Sequence, residues 1–312
     1  MSKLFVVFGA TGQQGGSLIN YLIHHPEFSK TFRVRGITRD PSKQAAKDLS
    51  EKGVEIVRAD LSDPKTLAPA LEGAYAVFAV TNYWDTGSHE AEEAQGKAVA
   101  DAALAAGVSL IIWSSLPNIT RVTGGRVTNF VHFDSKSRVE DYIRTLGFPS
   151  SVFYLPGWYM QNSKHPLFPP PTTNPDGTVV LPYAWPDELE MPYIDVTDTG
   201  KYLAPAIGDP AKYNGKQLIG ATAFYSSKEV ADTWSRITGK KVRHATPEEL
   251  PVSSGSFMED NVIRPNPFLT DTGYYGPTGR AELEWLHSQL DPADKLTTWE
   301  EYVKANGPWF SA

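Results

Sequence analysis

Three glycines, Gly9, Gly12 and Gly15, lie between an apolar run and a helix-like stretch in KLFVVFGATGQQGGSLINYL, residues 3–22. Glycine at such a place permits φ > 0 in a tight turn and lets the backbone approach a phosphate. The helix that follows supplies N–H donors and the positive end of a dipole. The spacing G-x-x-G-x-x-G differs by one residue from the dinucleotide fingerprint, with the same physics. The alternative is a glycine-rich turn with no ligand. Further on, FRVRGITRDPSK ends in Thr38-Arg39, where a sheet that binds NAD places a carboxylate on the ribose 2′-OH. A guanidinium there can fork onto a 2′-phosphate, and Lys43 one turn on adds charge. The pattern therefore predicts NADP(H) as the cofactor, the alternative being an ordinary surface Arg39. Asp40, before Pro41, reads as a helix N-cap. Asp60, in VRADLSD, either meets adenine or caps the next helix, a role open to Ser62 as well.

Those positions need a scaffold that gathers strand ends. Leu4–Phe8 reads as a buried strand, and a helix is expected from Gly12 to His24, ended by Pro26. Phe32–Thr38 is a second strand, after which Pro41 and Ser42 open a helix rich in Lys and Ala. Val54–Val57 is a third strand, Leu67–Leu71 a short helix and Ala74–Val80 a fourth strand. His89–Ala106 is a long helix stopped by Gly107, and Val108–Trp113 a fifth strand. Asp134–Leu146 carries Val139, Tyr142, Ile143 and Leu146 at helical spacing, and Ser151–Leu155 is a sixth strand. Strands separated by helices give right-handed βαβ units and a parallel sheet. The Pro-rich stretch 164–192 reads as an irregular insertion able to act as a flap. Helices at Asp195–Ile207 and Ser226–Thr238, with strands at Gln217–Gly220 and Val242–His244, form a smaller region. The expected fold class is α/β: a Rossmann-type doubly wound parallel sheet with a smaller C-terminal α+β region. An NADP-binding Rossmann domain is expected over residues 1–155, and a substrate or partner region, interlocked with it, over 156–312.

The 312 residues are 41% hydrophobic and 21% charged, within the globular range. A net charge of −7 argues against neutralising phosphate backbones over a broad face, so no direct nucleic-acid partner is expected. The absence of Cys excludes disulfides, thiolate zinc sites and thiol switching. The His residues, His24 and His25 among them, lack partners at ligand spacing, so no metal is expected. No apolar run approaches a membrane span, and MSKLFVVFG reads as a strand, not a secretory signal. The expected location is the cytoplasm, with the nucleus as the alternative, and a homodimer is a candidate assembly.

Several stretches carry a resemblance: VVFGATGQQGGS, TRDPSKQAAK, GAYAVFAVTNYWD, QGKAVADAA and HFDSKSRVEDYIRTLGFPSSVFYLPGWYMQN. They cover most of residues 4–162 and resemble the NmrA-like family of the extended short-chain dehydrogenase/reductase superfamily, in its subgroup of NmrA-like family domain-containing proteins. The resemblance implies NADP(H) in the cleft of a Rossmann domain. It implies cofactor contacts from Gly9, Ala10, Thr11, Gly12, Gln13 and Gln14, from Arg39 to Lys43, from Asp60 with Leu61, and from Thr81, Asn82 and Tyr83. Lys136 and the segment Trp158–Asn162, with Trp158, Tyr159 and Asn162, are implied as further contacts. That segment is one residue longer here than in a human member of the subgroup, which also carries a cofactor-contacting Lys where this chain has Ala94.

Active members of the superfamily use Tyr-x-x-x-Lys with a Ser, the Lys lowering the Tyr pKa so that the phenol can pass a proton. Here the pattern is His132-x-x-x-Lys136, so the phenol is missing. Ser114 and Ser115 follow the fifth strand, where the family Ser would lie. If Asp134 caps the helix, Lys136 falls in its first turn, where a cation opposes the dipole, which points to a site role. His132 can titrate near neutrality and donate a proton, or point away from the site. The catalytic candidates are Lys136, His132 and Ser115. Two readings follow. One is a redox sensor or regulator that reads NADPH/NADP+ through occupancy and passes it to a protein partner. The other is an NADPH-dependent reductase of a small apolar carbonyl, imine or enone, using Lys136 as related isoflavone-reductase-like families do.

Overall fold

The computed structural model describes residues 2–250, 262–264, 266 and 268–310. In chain order its strands are Lys3–Val7 (β1), Phe32–Thr38 (β2), Glu55–Arg58 (β3), Ala74–Ala79 (β4), Leu110–Ser114 (β5), Ser150–Pro156 (β6), Trp158–Tyr159 (β7), Thr172–Thr173 (β8), Val179–Leu181 (β9), Glu190–Ile194 (β10), Gln217–Gly220 (β11), Ala223–Ser226 (β12) and Val242–His244 (β13). Its α-helices are Gln13–His24 (α1), Phe28–Thr31 (α2), Gln44–Glu51 (α3), Leu67–Leu71 (α4), His89–Ala105 (α5), Ile119–Val122 (α6), Val131–Thr145 (α7), Thr199–Gly208 (α8), Ser227–Thr238 (α9), Gly279–His287 (α10) and Trp299–Ala305 (α11). Two compact units divide the chain. One holds Met1–Pro156, Val196–Gly220 and Glu282–Asp294; the other holds Gly157–Asp195, Ala221–Ala281 and Lys295–Ala312.

The first unit is built on a seven-stranded sheet in the order β11-β6-β5-β4-β1-β2-β3, with every pairing parallel. A strand covered on both faces needs no polar alternation, which is why Phe5, Val6 and Val7 are all fully buried. The order reverses between β1 and β4, and the crevice beyond the strand C-termini at such a switch is where Rossmann-type sheets take ligands. Gln217–Gly220, expected as part of the smaller region, instead extends the main sheet beside β6.

Helix α1 sits on the sheet through Leu18, Ile19 and Leu22. It meets the 196–208 stretch at Gly200, where an added Cβ would stand 2.2 Å from Tyr21. Helix α5 opens with Ser88 accepting from the Ala91 N–H at 3.2 Å, and α5 packs against α7. Helix α7 begins at Val131 with Phe130 as N-cap residue, three residues before the expected start. Asp134 is not its cap. That carboxylate accepts from the Ile119 N–H at 2.6 Å, the Thr120 N–H at 3.3 Å and the Thr120 hydroxyl at 2.5 Å. The unsatisfied N–H groups of the neighbouring short helix have recruited it. Lys136 therefore lies in the second turn of α7, and the dipole argument for its role falls away.

The second unit carries two three-stranded sheets, β12-β10-β7 and β13-β9-β8. The Pro-rich 164–192 stretch, expected as an irregular flap, supplies β8, β9 and most of β10. Val179 and Leu181 in β9 are buried, as is Met191 in β10. Pro192 pairs with Phe224 across β12, while β7 joins β10 only from Tyr193 onward. A residue without an N–H thus sits where one edge of the strand is open. Helix α9 is set by a capping box of Ser226 and Glu229 and ends at Gly239, φ 69°. Among the described residues no helix is long and apolar enough to cross a membrane.

Candidate functional site

The glycine loop leaves β1 at the sheet's switch point. Its backbone is tied to both neighbouring strands, with the Phe8 N–H donating to Phe78 O at 2.9 Å and the Ala10 N–H to Ile37 O at 3.3 Å. Gly9 takes φ +65° with Val80 close by, and an added Cβ on Gly15 would stand 2.3 Å from Gly9 O. The first glycine makes the turn, and the third lets α1 press against it. Gly9, Thr11, Gly12 and Gln13 are exposed along the crest, while Ala10 and Gly15 are buried. Helix α1 has Gly12 as its N-cap, no side chain capping it and no acidic residue in its first turn. An N-terminus left so bare presents its N–H groups and dipole to an anion. The second glutamine of the loop reaches across the sheet: the Ser114 hydroxyl, at the end of β5, donates to Gln14 Oε1 at 2.8 Å.

Arg39, after β2, meets the loop that follows β4. Its Nη1 lies 2.9 Å from Asp85 Oδ2, with the Arg39 side chain largely open to solvent and that of Asp85 partly so. Asp85 is held in turn by the Asn82 amide, which donates to Oδ1 at 2.8 Å. Lys43 is exposed and is the N-cap residue of α3, which begins at Gln44. Asp40 therefore does not cap that helix; it closes a local turn, accepting from the Ser42 N–H at 2.9 Å and the Ser42 hydroxyl at 2.6 Å. Asp60 does the same at the end of β3, accepting from the Ser62 N–H at 2.9 Å, and Asp63 caps the next turn. Leu61 lies beside it, half-buried.

Lys136 stands in a buried polar network. Its ammonium donates to the Glu92 carboxylate, and also to the Thr81 hydroxyl at 3.2 Å and Thr81 O at 3.3 Å. Glu92 also accepts from the Thr81 hydroxyl at 2.8 Å and from Ser135. The Glu92 side chain is 1% exposed and that of Lys136 12%. Burial pushes the ammonium below the ordinary lysine value, and Glu92 opposes that shift. Two contacts fix the geometry. The Trp113 indole of β5 donates to Lys136 O at 2.9 Å. Gly96, one turn after Glu92, lets α5 approach so closely that an added Cβ would lie 2.7 Å from Val139 and 2.9 Å from Trp113.

His132 is on the same face of α7, one turn earlier. Its half-buried ring packs among Tyr83, Trp84, Phe130 and Phe133, with centroids 5.6, 5.4, 6.0 and 4.8 Å away. Burial, and then the charge of Lys136, push its imidazole down to about 3, so the ring is neutral at neutral pH. That disfavours an imidazolium proton donor at this position. Ser115 is fully buried and donates to Glu140 at 2.6 Å. Ser114 is the one of the two whose hydroxyl reaches the glycine loop. Trp158 and Tyr159 form β7, and Asn162 lies in the 3-10 turn after it, all in the second unit. There Trp158 packs against Phe168 and Trp185 at 5.2 and 5.4 Å. Among the described residues no group of three or more His, Asp or Glu gathers at metal-binding distance.

Reading the sequence alone missed Glu92 and Asp85. For Glu92 a signal existed. The buried positions of α5 are 92, 96, 99, 100 and 103, so a carboxylate opens an otherwise apolar or glycine face, which requires a partner. No comparable pattern marks Asp85, whose pairing depends on two loops meeting.

A parallel sheet in this order, with a glycine loop at its switch point, defines a Rossmann-type α/β protein. The profile of the NmrA-like family matches residues 1–303, and the chain belongs to that family. It is 32% identical over 256 residues to the NmrA-like family domain-containing oxidoreductase ptmS of Penicillium ochrochloron, covering 77% of this chain and 75% of that one. It is similar in structure to NmrA, a negative transcriptional regulator solved with NADP, with a TM-score of 0.76 and 25% identity over 97% of this chain and 94% of that one. It also shares the fold of Citrobacter sp. triphenylmethane reductase, solved with NADP(H), with a TM-score of 0.68 and 20% identity over 98% and 99% of the two chains.

Proposed function

We propose that this chain binds NADP(H) and acts as a sensor of the NADPH/NADP+ balance, passing the occupied state to a protein partner in the cytoplasm or nucleus. The bare N-terminus of α1 beneath an exposed glycine crest fits a pyrophosphate, and Arg39 with Lys43 fits a 2′-phosphate. Thr81, Asn82 and Tyr83, Asp60 with Leu61, and Lys136 would complete the cofactor contacts of the first unit. When bound, the nicotinamide would supply or accept hydride.

One observation carries the sensor reading: where active members of the superfamily hold a phenol, this chain has a histidine whose imidazole is pushed down by burial, beside a lysine already held by Glu92. The superfamily's Tyr–Lys pair, in which the phenol passes the proton, is therefore not formed here. A second reading, an NADPH-dependent reductase of a small apolar carbonyl, imine or enone, has its own support. The Penicillium relative is named an oxidoreductase. The second unit also holds a cavity of about 450 Å³ lined by Leu189, Phe224, Leu269, Tyr274, Tyr275 and Arg280, among others. Its size suits a small molecule.

Absorbance at 340 nm decides between them, with NADPH and a panel of carbonyl, imine and enone substrates against a Lys136→Ala control. The sensor reading expects no turnover above that control. Steady, Lys136-dependent turnover on any substrate would establish the reductase. Titrating both dinucleotides tests the cofactor: NADP+ should bind more tightly than NAD+, and Arg39→Ala should remove the difference.

A further inference from the structure

Two side chains implied as cofactor contacts, Arg39 and Lys136, each carry a carboxylate from one stretch of chain, the segment between the end of β4 and the first turn of α5. Glu92 holds Lys136 and Asp85 holds Arg39. The two pairs differ in kind. The Lys136–Glu92 side chains are 12% and 1% exposed, those of Arg39 and Asp85 65% and 35%. Opening the buried pair would strand a charge away from water, whereas an exposed pair exchanges partners readily. Asp85 is nevertheless positioned. Asn82 donates to its Oδ1 at 2.8 Å, leaving Oδ2 for Arg39 at 2.9 Å. Asn82 itself is fixed by the Trp84 N–H, which donates to its Oδ1 at 3.3 Å.

We propose that Asp85 competes with the 2′-phosphate of NADP(H) for Arg39 and so sets how strongly the chain prefers NADP(H) to NAD(H). This rests on the reading of Arg39 as the 2′-phosphate ligand. Asp85 occupies Nη1 of the planar guanidinium, and a phosphate bound bidentate through both Nη nitrogens needs that donor released. A 2′-phosphate, with more charge and more acceptor oxygens than a carboxylate, takes the fork and releases Asp85. A dinucleotide with a free 2′-hydroxyl brings no such competitor, and the ion pair stays closed. Asp85 therefore weakens the binding of one dinucleotide and leaves the other alone.

The test is calorimetric titration of NADP+ and NAD+ into four full-length proteins at one ionic strength: wild type, Asp85→Asn, Arg39→Ala and the double variant. Asp85→Asn keeps the shape of an exposed side chain, and the thermal midpoint of each variant checks its fold. The expected result is NADP+ binding about two- to fivefold tighter in Asp85→Asn, the equilibrium equivalent of an exposed ion pair, with NAD+ unchanged. In the Arg39→Ala background the same substitution should do nothing, because the competition passes through the guanidinium. The proposal is overturned if Asp85→Asn leaves NADP+ unchanged, or tightens both dinucleotides alike. It is equally overturned if the tightening survives in the Arg39→Ala background, which would mean direct repulsion of the phosphate. Failure of the underlying cofactor reading looks different: Arg39→Ala alone then leaves the NADP+ to NAD+ affinity ratio of the wild type intact.

Discussion

Glu92 and Lys136 are worth more to each other than either is alone. A buried pair gains little over two apolar residues of the same shape, yet losing one partner leaves an uncompensated charge and costs about 3–5 kcal/mol. Glu92→Leu should therefore destabilise the chain by roughly that amount in urea unfolding, while Glu92→Leu with Lys136→Met should recover most of the loss. Equal destabilisation in the single and double variants would mean that Glu92 matters for packing and not for charge. His132 gives a second prediction, in pH. Its folded value, about 3, lies below the ordinary 6.5, so between those limits the unfolded chain binds more protons than the folded one. Stability from the neutral ring is complete above about pH 6.5 and is lost as pH falls toward 3. A His132→Phe variant lacks that titration. Urea midpoints at pH 7 and at pH 4.5 should show it losing less stability on acidification than the wild type.

Both of those side chains depend on how closely the elements approach. Gly96 sets the distance between α5 and α7, and an added Cβ there meets two Val139 methyl carbons at 2.7 Å. Gly96→Val should push the helices apart and cost about 1–3 kcal/mol of stability by urea unfolding. The Glu92–Lys136 contact should loosen with it. Gly15 plays the corresponding part for α1. There the obstacle is backbone, Gly9 O at 2.3 Å and Phe8 O at 3.0 Å, which cannot rotate away as a side chain can. Gly15→Ala should therefore lower the thermal midpoint and weaken NADP+ binding together. A variant of normal midpoint and normal affinity would show that the loop has slack the geometry does not suggest. Asp134 makes the same point about elements. Its place near a helix start resembled a cap, but a neighbouring helix with open N–H groups claimed it, and no count of residues along α7 could reveal that neighbour.

For the whole molecule, ligand linkage gives the simplest readout. A dinucleotide present at a hundred times its dissociation constant stabilises the folded state by about 2.7 kcal/mol. The thermal midpoint should rise by several degrees with NADP+ and less with NAD+ at equal concentration. The net charge of −7 adds a negative expectation, that the chain should not retard duplex DNA at about 150 mM salt.

Much of the first unit was legible in the residue order. Phe32–Thr38, Leu67–Leu71 and Gln217–Gly220 have the bounds read from the pattern. The apolar runs, the glycine spacing and Arg39 after β2 are local features, and strand and helix periods are set by backbone geometry within a few residues. Other features were not legible. The sheet that β11 joins, the strands formed by the Pro-rich stretch and the carboxylates that hold Arg39 and Lys136 each join residues far apart in the chain. Glu92 and Lys136 are separated by 44 positions. The sequence by itself determined the Rossmann-type alternation, the glycine loop between β1 and α1 and the missing phenol. Tertiary structure alone decided that His132 packs among aromatic rings, which pushes its imidazole down, and that both cations already have partners, because burial and ion pairing depend on which surfaces are packed together, and periodicity along one chain segment does not encode that.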